Sequence, residues 1–236
     1  MKQRRGPGGY PGRAAEPVSD SEQYPMIRTF PKIILLAVAC LACPASFAAV
    51  GKSLNHFFND VHTYSARFQQ VVLDEGYNPI QESSGRVLIK RPGRFRWDYD
   101  PPDEHEIISD GDKVWTYDVE LEQVTVRSLK KALGKTPAAL LAGGVDLDKD
   151  FKVTDLGEVN GPLHWVHMVP KGDDVGFKDI RLGFQDGRLR VMELVDGLGQ
   201  TTRITMTDGQ ENGTISDSQF EFTPPKGTDV IDDTGQ

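Results

Sequence analysis

The stretch that decides the fold lies between residues 91 and 128 and begins Arg91-Pro92-Gly93-Arg94-Phe95-Arg96-Trp97-Asp98-Tyr99. Its aromatic side chains alternate with charged ones. Because neighbouring residues of a strand point to opposite faces, this period of two predicts a strand with one aromatic face. Trp115, in the same stretch, is another of the chain's three tryptophans. An aromatic face of this kind fits a wall that packs against something bulky and apolar, or the ordinary core of a β-barrel.

Further short segments rich in β-branched and aromatic residues lie on both sides of this strand. They are separated by Asp-Gly or Asn-Gly pairs, which favour tight hairpins because both central residues of such turns need positive φ. These pairs stand at 110–111, 160–161, 186–187, 196–197, 208–209 and 212–213. The predicted strands around the aromatic one are 64–73, 86–90, 106–109, 113–117, 122–126, 151–156, 163–169, 177–184, 189–195, 201–206 and 215–222. Strands at this spacing predict an antiparallel sheet that is strongly curled or closed as a barrel.

Two regions of the sequence have a helical pattern. One apolar stripe has the spacing of an amphipathic helix, and this helix would either pack on the sheet or form a lid over a cavity. Short helices are also predicted at 128–133 and 138–142, where Thr136 is the N-cap and Pro137 the first helical residue. The apolar stripe consists of Val50, Leu54, Phe57, Phe58 and Val61.

The N-terminal region has the features of a secretory signal. Arg28 and Lys32 precede a short apolar run, and Ser46-Phe47-Ala48 resembles the small-residue motif of a cleavage site. The run is shorter than the roughly 20 apolar residues that span a bilayer. The sequence therefore predicts cleavage near Ala48-Ala49 and a soluble protein in the periplasm.

This signal sets the predicted domain organisation. Residues 1–48 form an N-terminal extension and signal peptide, and residues 49–236 form a single domain. The first 25 residues are rich in glycine, proline and charge, so Met26 is the expected true start. The alternative is that these residues form a disordered cytoplasmic tail.

Both cysteines of the chain, Cys40 and Cys43, lie inside the predicted signal. The mature chain would then have neither disulfides nor thiolate ligands. A lipoprotein is cut just before an acylated cysteine, usually with leucine three residues upstream, whereas Ala37 has that position relative to Cys40. The sequence thus favours a protein without a lipid anchor of its own.

Charge and motifs exclude several classes of function. The net charge of −8 argues against a nucleic-acid partner. His164 and His167 stand three apart on a predicted strand, so they point to opposite faces and cannot chelate one ion. The acidic run from Asp146 to Asp150 has Phe151 where a calcium loop needs glycine. We expect no enzymatic activity, no metal and no cofactor.

Several short motifs, in this order and spacing, resemble the LolA family of outer-membrane lipoprotein carrier proteins. The resemblance runs from about residue 54 to about residue 232. Each piece is short, and their order and spacing together make the resemblance specific. The pieces are Lys90-Arg91-Pro92, Phe95-x-Trp97, Ser109-Asp110-Gly111, Trp115-x-Tyr117, Gln123-Val124-Thr125, Thr136-Pro137-Ala138-Ala139-Leu140-Leu141 and Phe220-Glu221-Phe222-Thr223-Pro224-Pro225-Lys226-Gly227.

The resemblance implies both a fold and a task. The fold is mainly β, an incomplete (unclosed) antiparallel β-barrel of about eleven strands with a lid of short α-helices. The task is to take the acyl anchor of lipoproteins from an ATP-driven release complex in the inner membrane and to deliver it to an outer-membrane receptor. A monomer is expected. Two alternatives are an acyl-chain-binding periplasmic sensor and an outer-membrane receptor of the same fold.

The resemblance also implies a role for Arg91, whose counterpart in the family holds the helical lid by hydrogen bonds to backbone carbonyls. The alternative is a surface arginine at the end of a strand. Trp115 and Tyr117 fit structural core and cavity lining equally well, and both faces of strand 86–90 carry apolar residues. The candidate lining residues of an acyl-chain cavity are Val87, Ile89, Phe95, Trp97, Tyr99, Leu140 and Leu141.

Overall fold

The computed structural model of the chain describes residues 47–132, 136–143, 146–172 and 176–235. The proposed start at Met26 and nearly all of the predicted signal peptide lie outside these residues. The strands are β1 (Thr63–Leu73), β2 (Pro79–Lys90), β3 (Arg94–Tyr99), β4 (His105–Asp110), β5 (Lys113–Asp118), β6 (Gln123–Ser128), β7 (Phe151–Glu158), β8 (His164–Pro170), β9 (Phe177–Gln185), β10 (Arg188–Asp196), β11 (Thr201–Glu211) and β12 (Asp229–Asp233).

Short helices interrupt the strands at two places. Helix α1 (Phe47–Asn55) continues as a π-helical turn (His56–Asp60) and leads into β1. Between β6 and β7 lie α2 (Leu129–Ala132), α3 (Pro137–Leu141) and α4 (Leu147–Asp150). As predicted, Thr136 caps α3, because its Oγ1 accepts a hydrogen bond of 3.1 Å from the Ala139 N–H.

The twelve strands form one sheet in the order β12-β6-β5-β4-β3-β2-β1-β11-β10-β9-β8-β7. All pairs are antiparallel except β12 with β6, which is parallel. Strands β12 and β7 are the two edges, and no pairing joins them in the described part of the chain. The expected mainly β, unclosed barrel with short helices is therefore confirmed, and its twelfth strand is the one that pairs in parallel.

One apolar core fills the inside of the curled sheet. Strands far apart in the sheet order, such as β3 and β8, contribute Trp97 and Met168 to the same cluster of buried residues. The sheet must therefore curl strongly enough to face itself. The helices cover this core with Leu54, Phe57, Val61, Ala138, Ala139, Leu140, Leu141 and Ala142.

A second, smaller apolar patch lies on the outer face of β4, β5 and β6, where Ile108, Val124 and Val126 are buried outside the main core. The segment between β11 and β12, residues 212–228, covers this patch and is called the strap below. Phe222 of the strap lies 6.2 Å from the Trp115 ring and 5.8 Å from the Tyr117 ring, between centroids. Trp115 and Tyr117 are thus outer-face residues beneath the strap.

The prediction of a strand at 215–222 was wrong. This region contains a 3₁₀ turn from Asp217 to Phe220 within the strap. The predicted turn at Asp208-Gly209 was also wrong, because β11 runs through both residues, with a register shift against β1 at this level. The pair Asn212-Gly213 follows the last residue of β11 and begins the strap, so it does not form a hairpin between adjacent strands. The pair at 186–187 does form the hairpin between β9 and β10, with φ of 52° and 78°.

Candidate functional site

The lid has two parts, the N-terminal helical segment through His62 (residues 47–62) and α3 with the following Ala142. The backbone of the Lys90-Arg91-Pro92-Gly93 step contacts both of them. Strand β2 ends at Lys90, two residues before a proline that cannot donate to a sheet. The Arg91 N–H donates to the His62 carbonyl at 2.8 Å, and the Gly93 N–H donates to the Ala142 carbonyl at 3.2 Å. The step therefore lies where the end of the N-terminal helical segment meets the end of α3.

The Arg91 guanidinium bridges these two segments. Its Nη1 donates to the Val61 carbonyl, and its Nη2 donates to the Leu141 carbonyl at 2.7 Å. Its Cζ lies 4.8 Å from the centroid of the Phe57 ring, within range of a cation–π interaction. The planar guanidinium thus donates hydrogen bonds to backbone carbonyls of two separate helical segments.

The electrostatics of Arg91 are unusual for a half-buried cation. Its hydrogen-bond acceptors are carbonyl oxygens, its Nε has no partner among the described residues, and no carboxylate there pairs with it. Burial lowers the pKa of Arg91 to about 10, so the group stays protonated at neutral pH. A cation held by neutral dipoles and aromatic faces can be released without breaking an ion pair.

Six of the seven candidate lining residues are fully buried in the main core. Val87 and Ile89 point inward, opposite Trp97 and Phe95 across the β2–β3 pair, whereas Leu88 points outward. This arrangement settles which face of β2 is internal. The inward set consists of Val87, Ile89, Phe95, Trp97, Leu140 and Leu141.

Tyr99, the seventh candidate, lies at the rim of the core. Its ring packs 5.1 Å from Phe68 and stacks on His105 at 3.7 Å, between centroids. Its Oη donates to Gln70 Oε1 at 3.1 Å. Burial raises the pKa of Tyr99 to about 12. The structure therefore brings all seven candidates to one side of the sheet, and their contact with a ligand stays a prediction.

Sequence reasoning missed several residues around the core and around the Arg91 bridge between the two helical segments, which is called the latch below. Phe57 was assigned only to a helix stripe, yet its ring supports the Arg91 guanidinium. Phe68 lies in the predicted strand 64–73 without a role of its own, yet its ring packs 4.8 Å from the Trp97 ring, between centroids. Tyr64 is 2 % exposed and was not singled out at all. The period of two in β1 is a signal that could have placed Tyr64 and Phe68 on one inner face.

A cavity of about 450 Å³ opens beside Arg91 on the outer side of the lid. Polar side chains form much of its rim, so the latch can be reached from the surface without passing through the apolar core. Its lining residues are Asn55, Phe58, Asn59, Arg91, Pro92, Gly143, Asp146, Leu147 and Asp148.

The histidines of β8 bind carboxylates on opposite faces, as their spacing predicted. His164 Nε2 lies 2.8 Å from Asp155 Oδ1, and His167 Nε2 lies 2.6 Å from Asp179 Oδ2. Within the described ranges, no group of three His, Cys, Asp or Glu side chains could hold a metal ion. None of the helices found there is long and apolar enough to cross a membrane.

The fold and the latch define a class of protein: an unclosed β-barrel whose apolar interior is covered by helices fastened through one arginine. Comparison with known families identifies the member of this class. The family model described as "Outer membrane lipoprotein carrier protein LolA" matches residues 59–223. The chain belongs to this LolA family, which confirms the resemblance inferred from its motifs.

Individual relatives agree with this assignment. A protein of Nitrosomonas europaea named outer-membrane lipoprotein carrier protein is 43 % identical over 202 residues, which cover 85 % of this chain and 97 % of that protein. A protein of Dechloromonas aromatica with the same name is 42 % identical over 199 residues, which cover 84 % and 95 %. The crystal structure of an uncharacterized conserved protein from Thermus thermophilus shares the fold, with a TM-score of 0.52 at 14 % identity over 78 % of this chain and 99 % of that one.

Proposed function

We propose that this protein carries lipoproteins across the periplasm by enclosing their acyl anchors inside the barrel. Its relatives are named as carriers of outer-membrane lipoproteins, and its own interior is apolar and roofed by helices. The proposed activity is binding and transport, with no catalytic step, metal or cofactor.

The physical problem such a carrier solves is the exposure of hydrocarbon to water. Each exposed CH₂ group costs about 0.8 kcal/mol, so one sixteen-carbon chain represents roughly 12 kcal/mol. Spontaneous transfer from a membrane through water is therefore very slow. A soluble protein with an apolar interior lowers this barrier, provided that it binds the chain weakly enough to pass it on.

The observation that carries the proposal is the Arg91 bridge over the apolar core. In the closed form Arg91 holds Val61 and Leu141, which belong to different lid segments. An entering acyl chain must separate these segments and break both hydrogen bonds. Re-formation of the bonds then favours the closed, unloaded form and helps to expel the cargo at delivery.

The proposal includes partners at both membranes. An ATP-driven release complex in the inner membrane would load the carrier, and an outer-membrane receptor would unload it. Export would require the signal peptide predicted within residues 1–48, with Met26 as the expected start and cleavage near Ala48-Ala49. The mature protein would then be one domain, residues 49–236, acting as a monomer.

Arg91→Leu tests the latch directly. We expect the variant to fold, to bind acylated protein at least tenfold more tightly and to hand it over more slowly, because the closed form has lost hydrogen bonds to a charged group worth about 1.5–3 kcal/mol each. The measurement is transfer of a fluorescent lipoprotein from release complex to carrier and from carrier to receptor.

Arg67→Leu is the matched control for this experiment. Arg67 is an exposed arginine that pairs with Asp100 at 2.5 Å, away from the lid. Its removal should leave loading and delivery at wild-type rates. Wild-type transfer by Arg91→Leu would refute the latch, and failure of the wild-type protein to accept any acylated cargo would refute the carrier function itself.

A further inference from the structure

Three polar side chains from neighbouring strands lie near one another at the edge of the apolar core, and two of them, Tyr64 and Glu211, contact the lid. Tyr64 of β1 stands directly opposite Glu211 of β11 in the strand register, and Arg190 lies at an irregularity of β10. The Tyr64 hydroxyl packs over Gly209, 3.1 Å from the point where a Cβ of that residue would be. The charges of Glu211 and Arg190 both act on the phenol, and burial together with Glu211 raises its pKa.

Each of these side chains has a buried polar atom without a partner among the described residues. The three atoms are Tyr64 Oη, Arg190 Nε and Glu211 Oε1. Folded proteins pair the large majority of their buried polar atoms. Three unpaired polar atoms in one group, one of them the hydroxyl of a tyrosine that is only 2 % exposed, therefore point to a ligand. The hydroxyl and the guanidinium N–H can donate, and the carboxylate oxygen can accept.

Tyr64 and Glu211 contact the part of the lid that would move on opening. The Phe57 ring lies 5.5 Å from the Tyr64 ring, between centroids, and His56 Nε2 lies 3.4 Å from Glu211 Oε2. The π-helical turn of the lid therefore rests on Tyr64 and Glu211, so its displacement would uncover both at the mouth of the core. The junction between an enclosed hydrocarbon chain and its polar attachment would lie at this mouth.

We propose that Tyr64, Arg190 and Glu211 bind the amide that joins an acyl chain to its cargo. The amide carbonyl accepts hydrogen bonds from Tyr64 Oη and Arg190 Nε, and the amide N–H donates to Glu211 Oε1. This inference rests on the proposed carrier function and adds a selectivity to it: a chain attached through an amide is preferred over the same chain attached through an ether.

Two probes that differ only in this linkage test the inference. One carries a fluorophore on a hexadecanoyl chain through an amide, and the other carries the same fluorophore on a hexadecyl chain through an ether. Fluorescence anisotropy gives Kd for the mature wild-type chain and for Tyr64→Phe. Tyr117→Phe is the matched control, since it changes the same residue type on the outer face beneath the strap. Arg190→Met removes a second proposed donor independently.

The wild-type protein should bind the amide probe roughly five- to tenfold more tightly than the ether probe, the range expected for a buried hydrogen bond. Tyr64→Phe and Arg190→Met should lose this preference by weakening the amide probe alone, and Tyr117→Phe should keep it. Equal weakening of both probes, or no change, would mean that Tyr64 only packs and would overturn the inference. A wild-type protein that binds neither probe would contradict the carrier function as well.

Discussion

At the scale of single residues, Arg91 combines two properties that a reversible latch needs. Its hydrogen bonds go to Val61 and Leu141, so it holds two lid segments at once. Its partners are neutral, so opening leaves no unpaired carboxylate behind. Sequence motifs indicated the role of Arg91 through resemblance to a family. They could not identify Phe57 as its support, because that contact depends on how the lid lies over β2.

Gly85 shows how tightly the core around Phe68 is packed. A Cβ at this position would lie 2.0 Å from the Asp98 carbonyl oxygen and 2.7 Å from the Phe68 ring. The Asp98 carbonyl is part of β3 and cannot move without disturbing the aromatic strand. The absence of a side chain at Gly85 is thus what allows Phe68 to pack beside Trp97 and Tyr99.

Gly85→Ala should therefore destabilise the protein. Overpacking of a filled core costs roughly 1–3 kcal/mol, and each kcal/mol lowers Tm by about 2–4 °C in a domain of this size. Thermal unfolding followed by circular dichroism measures the change. Gly172→Ala is the control, since a Cβ there meets nothing within 4 Å. Equal Tm values for the two variants would contradict this account of the packing.

At the scale of elements, the strap is held to the sheet mainly by side-chain contacts rather than by strand pairing. Asp217 Oδ1 lies 2.5 Å from Lys90 Nζ and 2.7 Å from Arg94 Nη1, and Phe220 is 1 % exposed. These contacts hold the strap across the outer face and bring β12 alongside β6. The alternation of β5 places Trp115 and Tyr117 on this outer face.

Asp217→Asn should loosen the strap in a pH-dependent way. The Lys90 ammonium, with help from Arg94, holds the pKa of Asp217 below its ordinary value of 3.8. A carboxyl with a lowered pKa in the folded state stabilises that state above its unfolded pKa and loses this effect as the pH falls through the folded value. The stability difference between wild type and variant should be full at pH 7 and should shrink below about pH 4.

Urea unfolding at a series of pH values measures this difference. Asp208→Asn is the control, because its side chain enters no ion pair in the described part of the chain and should behave like wild type at every pH. A difference between wild type and Asp217→Asn that stays constant down to about pH 2 would show that the charge of Asp217 does not hold the strap.

The strap also marks the limit of what local patterns can predict about elements. Strands β1 to β11 were found because alternation, β-branched residues and turn pairs are local signals. Residues 215–222 carry the same kind of alternation, yet they contain a 3₁₀ turn, and Asp217 at its start binds Lys90 and Arg94 of distant parts of the chain. The parallel pairing of β12 with β6 joins residues about a hundred positions apart, and no local signal indicates it.

At the scale of the whole molecule, the curled sheet and the helical lid enclose one apolar interior. The core is filled by the protein's own side chains, so in the proposed mechanism cargo enters by displacing the lid. Entry of an acyl chain would bury its hydrocarbon, but it would disrupt the packing of the lid and the hydrogen bonds of Arg91. Because the loss of lid contacts offsets part of the gain from hydrocarbon burial, the net affinity for cargo would stay modest.

Alternating residues predicted the curled β-sheet, and the family resemblance predicted the lid and the carrier role. The resemblance also predicted that Arg91 binds backbone carbonyls of the lid. It could not predict that these carbonyls belong to Val61 and Leu141, because their meeting at Arg91 requires the complete fold.

Native mass spectrometry of the protein, purified gently from the periplasm, tests the central claim most directly, because it reports the mature N-terminus and any bound mass together. The carrier account predicts a chain that starts near Ala49 and binds one acylated protein in a one-to-one complex. A chain that starts with its own acylated Cys40 or Cys43, or one that binds only free lipid after incubation with loaded release complex, would contradict it.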